Sequence, residues 1–581
     1  MTIIAPGTPQ VTRATVAPVE KAERGISVAP DEDVLRVGIV FVHGIGSQRP
    51  GETLLDWSRP LIKLLTEWRT ARGLPPDPVV TSDIDFSGAI QPTIELDIPA
   101  GPVGSGGATV ADAQRWILTE AWWASRVQPP SLGSMTRWLR DDFGRVVAGI
   151  RAGYLERARS RDRRRALLRR TLVHAQLAGS GLDTPRWAWI DALDRFQAWV
   201  LSLAVGVVWV LGAALLLPYA ALRVVPIKSL RDAAVLRQLN AFLVDWFGDM
   251  RVLLHDPAQA ANIRHRLADA IADLVARGCG PVVVIAHSGG AVVSFTALTD
   301  AGLGPLPVTK LVTLGQGLNL AWRLEDAWRG LAPGDRLIPG LADADRPFRW
   351  VDFWASYDPA PGGPLASPPG AGAGPAEVAV RNRMSLLEDH GTYWENDEEF
   401  LIPLLRQLDT PDGPPSRSRF YRDRASELIR VERRRQRVGI LAAWRWICLA
   451  AGFFAIGGAT LHAAFAGGDR LRELGAAGAV VWGAIPGGSL ATGPIDWLAG
   501  LARWPGWLPT LGEWLLGMAI VAVAFAVLAR LGISRWDEWD ARERWQSRSE
   551  PPRPLDRGRV VPLAVVLVGA AVVLALVVAL S

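Results

Sequence analysis

The residues best suited to chemistry begin with Ser288, in the run PVVVIAHSGGAVVSFTAL from Pro281 to Leu298. Val282–Ile285 form a short, continuous apolar run, β-branched throughout, of the kind carried by a strand buried on both faces. His287-Ser288-Gly289-Gly290 follows at once, and Ala291–Leu298 continues at helical spacing. A strand, a sharp turn and a helix with serine at the turn lift the hydroxyl out of the sheet towards solvent or substrate. The Gly289 amide, at the helix start, is then free to stabilise a developing oxyanion. A serine hydroxyl is a poor nucleophile until a neighbouring base takes its proton, so an imidazole must be brought to it by the fold.

A second corner precedes it. In VGIVFVHGIGSQRPGETL (Val37–Leu54), a buried-type strand, Val37–Val42, ends in His43-Gly44-Ile45-Gly46. The two corners, in this order, resemble those of the α/β-hydrolase superfamily of lipases and esterases. A-H-S-G-G resembles its G-x-S-x-G elbow, with Ala286 in place of the first glycine, where strand and helix backbones approach closely and a small side chain is needed. His43-Gly44 looks like the loop that donates the second oxyanion amide, which the resemblance assigns to Ile45. His43 and His287, beside the two turns, read as structural histidines whose hydrogen bonds hold the loops, together with Gly44, Gly46 and Gly290.

In that superfamily the acid follows the nucleophile and the histidine follows the acid. Of seven histidines only His390 and His462 lie after Ser288, and His462 falls inside an apolar run. His390 is therefore the expected base. Arg349–Tyr357 (RWVDFWASY) reads as a strand ending in Asp358-Pro359-Ala360-Pro361-Gly362-Gly363. A strand-end aspartate before a Pro/Gly loop is where this fold places its acid, which favours Asp358 over Asp352, inside the strand, and over Asp389, adjacent to His390. The resemblance implies hydrolysis of an ester, thioester or amide through an acyl-enzyme, without metal or organic cofactor. Gly315-Gln316-Gly317 reads as a loop, since no phosphate-binding lysine follows it.

These residues need one scaffold. Helices are expected over Thr53–Trp68, Ala261–Arg277 and 289–299, and strands over 37–42, 281–286, 308–314 and 349–357. Strand and helix alternate, which predicts an α/β domain with a mainly parallel sheet and helices on both faces. Residues 34–128 and 235–408 together supply about 270 residues, the size of one such domain, within a domain region taken to residue 435. The tryptophan-rich segment Trp116–Trp138 has three readings: the wall of an acyl pocket, an interfacial belt, or core packing.

The rest of the chain is of another kind. Of 581 residues 49% are hydrophobic, and the formal net charge is only +5. Arginine supplies nearly all the positive charge, since Lys21, Lys63, Lys228 and Lys310 are the only lysines. The basic clusters flank apolar runs instead of covering a soluble domain, which argues against nucleic acid and for membrane lipids as partners. Two cysteines, Cys279 and Cys448, speak against a disulfide framework or thiolate metal site. Residues 1–33 are polar, Pro-rich and without periodicity, read as a disordered tail lacking the apolar core of a secretory signal.

A bilayer core needs about 20 apolar helical residues, and four runs approach this: 198–222, 446–466, 514–529 and 560–580. The first lies in a basic insertion, about 129–234, and the others form an α-helical membrane region over 436–581. Arginines crowd Arg417–Arg437 and Arg530–Arg559, whereas 467–510 holds only Arg470, Arg472 and Arg503. By the positive-inside tendency the α/β domain then faces the cytoplasm of an integral membrane protein. Run 198–222 separates the two corners, which must share a sheet, so it is expected to re-enter, to lie in the interface or to fold back near Pro218. The expected function is hydrolysis of a lipid or small acyl ester. A non-catalytic scaffold on the same fold and an acyltransferase using the same three side chains remain open at this point, as do substrate identity and oligomeric state.

Overall fold

The computed structural model describes residues 34–128 and 249–421, apart from 85, 89, 104–109, 330–346, 356, 366–373 and 386–387, with isolated positions in 148–203 and 427–446 and residues 544–545. The tail 1–33, the insertion 129–234 and the apolar runs lie outside these residues, save for isolated positions. Among the described residues no helix is long and apolar enough to cross a membrane.

The α/β expectation holds. Strands β1 (Leu35–Val42), β2 (Val79–Asp83), β3 (Thr93–Ile98), β6 (Gln114–Glu120), β7 (Val282–His287), β8 (Val308–Leu314), β9 (Arg349–Ala355) and β10 (Ala376–Val380) form one eight-stranded sheet. A separate short hairpin pairs β4 (Gly101–Pro102) with β5 (Val110–Ala111). The sheet order is β10-β9-β8-β7-β1-β6-β3-β2. All pairings from β6 through β1 to β10 are parallel, and only β3 runs against its neighbours. β1 pairs directly with β7, Val42 opposite Ala286, so the two glycine corners emerge side by side although 239 residues separate Val42 from Pro281 and the insertion lies between them.

Helices α1 (Glu52–Ala71), α2 (Asp249–His255), α3 (Pro257–Ala276), α4 (Gly289–Leu298), α5 (Leu318–Arg329) and α6 (Ile402–Asp409) cover both faces. Because side chains alternate along a strand, β1 sends Val40 and Val42 to one face and Val37, Ile39 and Phe41 to the other. The first set packs with β7 residues Val282 and Val284 against Ile263, Leu267 and Ile271 of α3. The second packs with Val283 and Ile285 against Leu61, Leu64 and Trp68 of α1 and Leu404 and Leu408 of α6. This double burial is why the central strands read as unbroken apolar runs.

Local differences have local causes. α3 starts at Pro257, ahead of the expected Ala261, because Asp256 caps it, its Oδ1 accepting the Gln259 amide at 3.0 Å, and proline suits the first helical position. β9 stops at Ala355, short of Tyr357: the Ala355 amide donates to the Tyr393 hydroxyl at 2.7 Å and its carbonyl takes the Asp358 amide at 3.2 Å, which turns the chain. Trp116 belongs to β6 and is fully buried against Phe420, so for this residue the core reading is right and the pocket and interface readings are wrong. The arginine cluster after residue 416 is partly spent inside the domain. Arg419 is buried on Asp409 at 2.8 Å and donates to the Asp112 carbonyl at 2.7 Å.

Candidate active site

Ser288 occupies φ 56°, ψ −123° between β7 and α4, a region sparsely populated by side-chain-bearing residues and costing of order 1–3 kcal/mol. The corner is pinned from both sides. The Ser288 amide donates to the Leu314 carbonyl at 3.1 Å, and the Gly317 amide donates to the Ser288 carbonyl at 3.0 Å. Glycine is required where the corners meet: a Cβ on Gly290 would sit 2.4 Å from the His43 carbonyl oxygen, and one on Gly44 2.7 Å from the Ser288 Cβ. Ala286, where the resembled elbow carries glycine, is wholly buried in the core beneath α4, so its single methyl group is accommodated.

The loops after β9 and β10 bring an acid and a base to this corner. Ser288 Oγ lies 2.9 Å from His390 Nε2, and His390 Nδ1 lies 2.9 and 3.1 Å from the Asp358 oxygens. Asp358 also accepts the Tyr393 hydroxyl at 2.8 Å and the Ala360 amide at 2.9 Å. Since a carboxylate only accepts, His390 carries its proton on Nδ1 and leaves Nε2 to receive the serine proton. Burial disfavours ionisation of both groups, but each supplies the other's counter-charge. The Asp358 carboxyl is held below its ordinary value by His390 and its hydrogen bonds, and the His390 imidazole is held above its own by Asp358.

The other two aspartates are turned away. Asp389 accepts the Arg383 and Ser385 amides at 2.8 and 3.0 Å, which directs its carboxylate into the preceding loop. Asp352 is buried within β9, takes the Thr313 hydroxyl at 2.6 Å, and is pushed up to about 8 by burial. It is therefore predominantly neutral at pH 7.

The corner after β1 faces Ser288. A Cβ on Gly289 would lie 3.4 Å from the Ile45 amide nitrogen, so the two backbone donors share one corner. Among the described residues neither amide donates a hydrogen bond, which leaves both able to receive a ligand oxygen. His43 stacks on Trp123 at 4.7 Å, its Nδ1 donates to the Gly44 carbonyl at 2.8 Å, and its Nε2 accepts the Trp123 amide at 3.1 Å. Burial lowers His43 to about 4, so it stays neutral and braces the loop. The Gly46 amide donates to Asp249 at 3.0 Å, and Glu120 accepts the amides of Gly51 and of Leu54, the latter at 2.9 Å. His287 donates from Nε2 to the His390 carbonyl at 2.8 Å, its ring 4.5 Å from that of His390. Burial, reinforced by repulsion from His390, lowers it to about 3.

Sequence reasoning missed Tyr393, Trp123, Asp249 and Glu120. Tyr393 lies three residues beyond His390 and carries no motif of its own, and Asp249 reaches Gly46 only through the fold. The arrangement as a whole pairs an activatable hydroxyl with a base, an oriented acid and two inward amides, the equipment for nucleophilic acyl transfer. Compared with known proteins, the chain matches no protein family, no curated protein and no solved structure.

Proposed function

We propose that this chain is a serine hydrolase of the α/β-hydrolase type that cleaves an ester bond in a lipid or small acyl substrate through an acyl-enzyme. The observation that carries this reading is the continuous hydrogen-bonded line Ser288–His390–Asp358 at 2.9 Å per step, rising from a positive-φ serine. In the first half-reaction His390 Nε2 takes the Ser288 proton as Oγ bonds to the acyl carbon. The carbonyl oxygen becomes an oxyanion held by the Ile45 and Gly289 amides. Collapse of the tetrahedral intermediate breaks the ester C–O bond, and His390 returns its proton to the departing alcohol. In the second half-reaction water, deprotonated by His390, releases the acid and restores the serine. Asp358 fixes the tautomer and stabilises the transient imidazolium. Every bond and proton is supplied by substrate, water and these side chains.

A membrane setting is supported by the apolar runs 198–222, 446–466, 514–529 and 560–580 and their arginine-rich flanks. Both C-terminal arginine clusters touch the α/β domain: Arg435 binds Glu399 at 2.7 Å, and Arg544 binds Asp397 at 2.7 Å and Glu398 at 3.2 Å. With these flanks on one body, the intervening runs are expected to leave and rejoin the same membrane face, with the domain on the cytoplasmic side.

The test is hydrolysis of nitrophenyl esters of graded chain length and of acylglycerols in mixed micelles by purified full-length protein. Turnover that disappears in Ser288→Ala supports the reading, and rising kcat/KM with chain length supports a lipid substrate. Folded wild-type protein with no ester turnover would count against it.

A further inference from the structure

The loop that delivers His390 is held from within, where Asp389 accepts the Arg383 and Ser385 amides, and also from outside. Residues 381–390 include Met384, at φ 53°, a left-handed conformation unfavourable for a side chain of that size. Three consecutive carbonyls before it, those of Arg381, Asn382 and Arg383, accept from guanidinium groups of one distant segment, and that of Arg381 also accepts from Asn396 Nδ2 at 3.2 Å. Residues 427–446 are helical wherever they are described. Arg434 donates to the Arg381 carbonyl and, at 3.2 Å, to the Asn382 carbonyl. Arg445 donates to the Arg383 carbonyl at 3.1 Å and to Glu388 at 3.1 Å. Between them, Val438 and Ala442 pack on Met384 and on Tyr357, the neighbour of Asp358. Arg435 anchors the same segment on buried Glu399 at 2.7 Å.

The far end of this network is the base itself. Asn382 Nδ2 donates to the Asp389 carbonyl at 2.8 Å, one residue before His390, and its Oδ1 accepts from Asn396 at 2.9 Å. In sequence, Trp446 opens the apolar run 446–466, and its ring meets that of Phe196, just before the run 198–222, at 5.4 Å.

We propose that Arg434 and Arg445 are positioning residues: segment 427–446 splints the 381–390 loop through three successive carbonyls and thereby keeps His390 on Ser288. Catalytic competence then depends on the seating of this segment, which precedes an apolar run in the sequence. The arginines of this stretch serve as struts in addition to any topogenic role. This inference rests on the hydrolase reading, and its test separates the two.

Ester kcat, KM and pH profile are measured for full-length wild type, Arg434→Gln, Arg445→Gln and Arg434→Lys, with Arg69→Gln as a control. Arg69 is equally engaged with backbone carbonyls, at Pro75 (2.6 Å) and Asp97 (2.9 Å), away from the site. A displacement of about 1 Å in a catalytic group costs up to about a hundredfold in rate, so the two glutamine variants should lose roughly ten- to a hundredfold in kcat with KM within about twofold. Arg434→Lys should regain part of that loss. The acid limb of the profile should move to lower pH as His390 loses contact with Asp358, since its other ionisable neighbours, His287 and Tyr393, offer no negative charge. Arg69→Gln should melt earlier and turn over normally. Arg445 is about one-third exposed, at 35%, so its variant folds even where Arg434→Gln does not. An active wild type whose Arg445→Gln variant keeps its kcat and pH profile overturns the splint alone, as does a loss that merely tracks melting temperature and recurs in Arg69→Gln. An inactive, folded wild type overturns the hydrolase reading instead.

Discussion

Replacing Gly315 with alanine should disable the site through one contact. Gly315 follows β8 at φ +54°, and a Cβ there would lie 2.6 Å from Asp358 Oδ2, 3.0 Å from Tyr393 Cε2 and 3.2 Å from His390 Nδ1. Ordinary contact begins near 3.4 Å, so the carboxylate must retreat by about 0.8 Å or the loop must move by as much. If the carboxylate moves away from His390 as one body, its Oδ1 and Oδ2, now 2.9 and 3.1 Å from Nδ1, come to stand at about 3.7 and 3.9 Å, too long for a hydrogen bond. The imidazole then loses its fixed tautomer. In related chemistry, displacing a group by about 1 Å costs around 10²-fold and abolishing the acid about 10⁴-fold, so kcat should fall between those bounds. Stability should drop as well, by about 1–2 kcal/mol for a left-handed alanine and about 1–3 kcal/mol for overpacking. Gly304→Ala is the matched comparison, because Gly304 has φ +69° and nothing within 4 Å of its would-be Cβ. It carries the backbone penalty without the clash. Stopped-flow ester turnover and thermal unfolding of both variants separate the two effects. Equal kcat for Gly315→Ala and Gly304→Ala would show that the contact at Asp358 does not govern the site.

Tyr393→Phe removes the donor at 2.8 Å from Asp358 and strands the Ala355 amide, and should cost about 1.5–3 kcal/mol at neutral pH, as charge-assisted bonds do. The depressed Asp358 carboxyl contributes stability that is present above its unfolded value and lost as pH falls through the folded one. Without Tyr393 the folded value rises, so the deficit against wild type should shrink as pH falls below about 4; a gap that stays constant until the protein unfolds in acid contradicts this. Because Asp358 holds His390 above its ordinary value, the acid limb of kcat/KM should fall above about pH 6.5. Asp358→Asn should shift it down, and an unmoved limb would break the assignment of His390 as base. Ile45→Pro deletes one of the two oxyanion amides and should lower kcat about 10²–10³-fold with little change in KM; retained turnover in folded protein would remove Ile45 from that role.

The parts of the fold legible in the sequence were those with one dominant signal. β7 and β1 announce themselves because burial on both faces leaves them uninterrupted Val and Ile runs, and the glycines after them sit where backbones touch. Thr93–Ile98, TIELDI, shows the period-2 alternation of an antiparallel strand and was legible in principle; β6 was obscured by its tryptophan. What the sequence does not display is reach. Glu120, Asp249 and the 434–445 arginines act on loops 52 to 203 residues away, and no local periodicity marks such partners. Arginines near an apolar run read as topogenic charge, yet Arg419 and Arg435 are spoken for by Asp409 and Glu399.

Activation of the Ser288 hydroxyl is the property that every step of the proposed reaction needs. Full-length protein and its Ser288→Ala, His390→Gln and Asp358→Asn variants should be pulsed with a fluorophosphonate, and the adduct located by peptide mass spectrometry. One phosphonyl group on the peptide bearing Ser288 is expected in wild type, none in Ser288→Ala, and labelling slowed by orders of magnitude in the other two. Folded wild type that stays unlabelled, or a Ser288→Ala variant labelled at the wild-type rate, would contradict that activation.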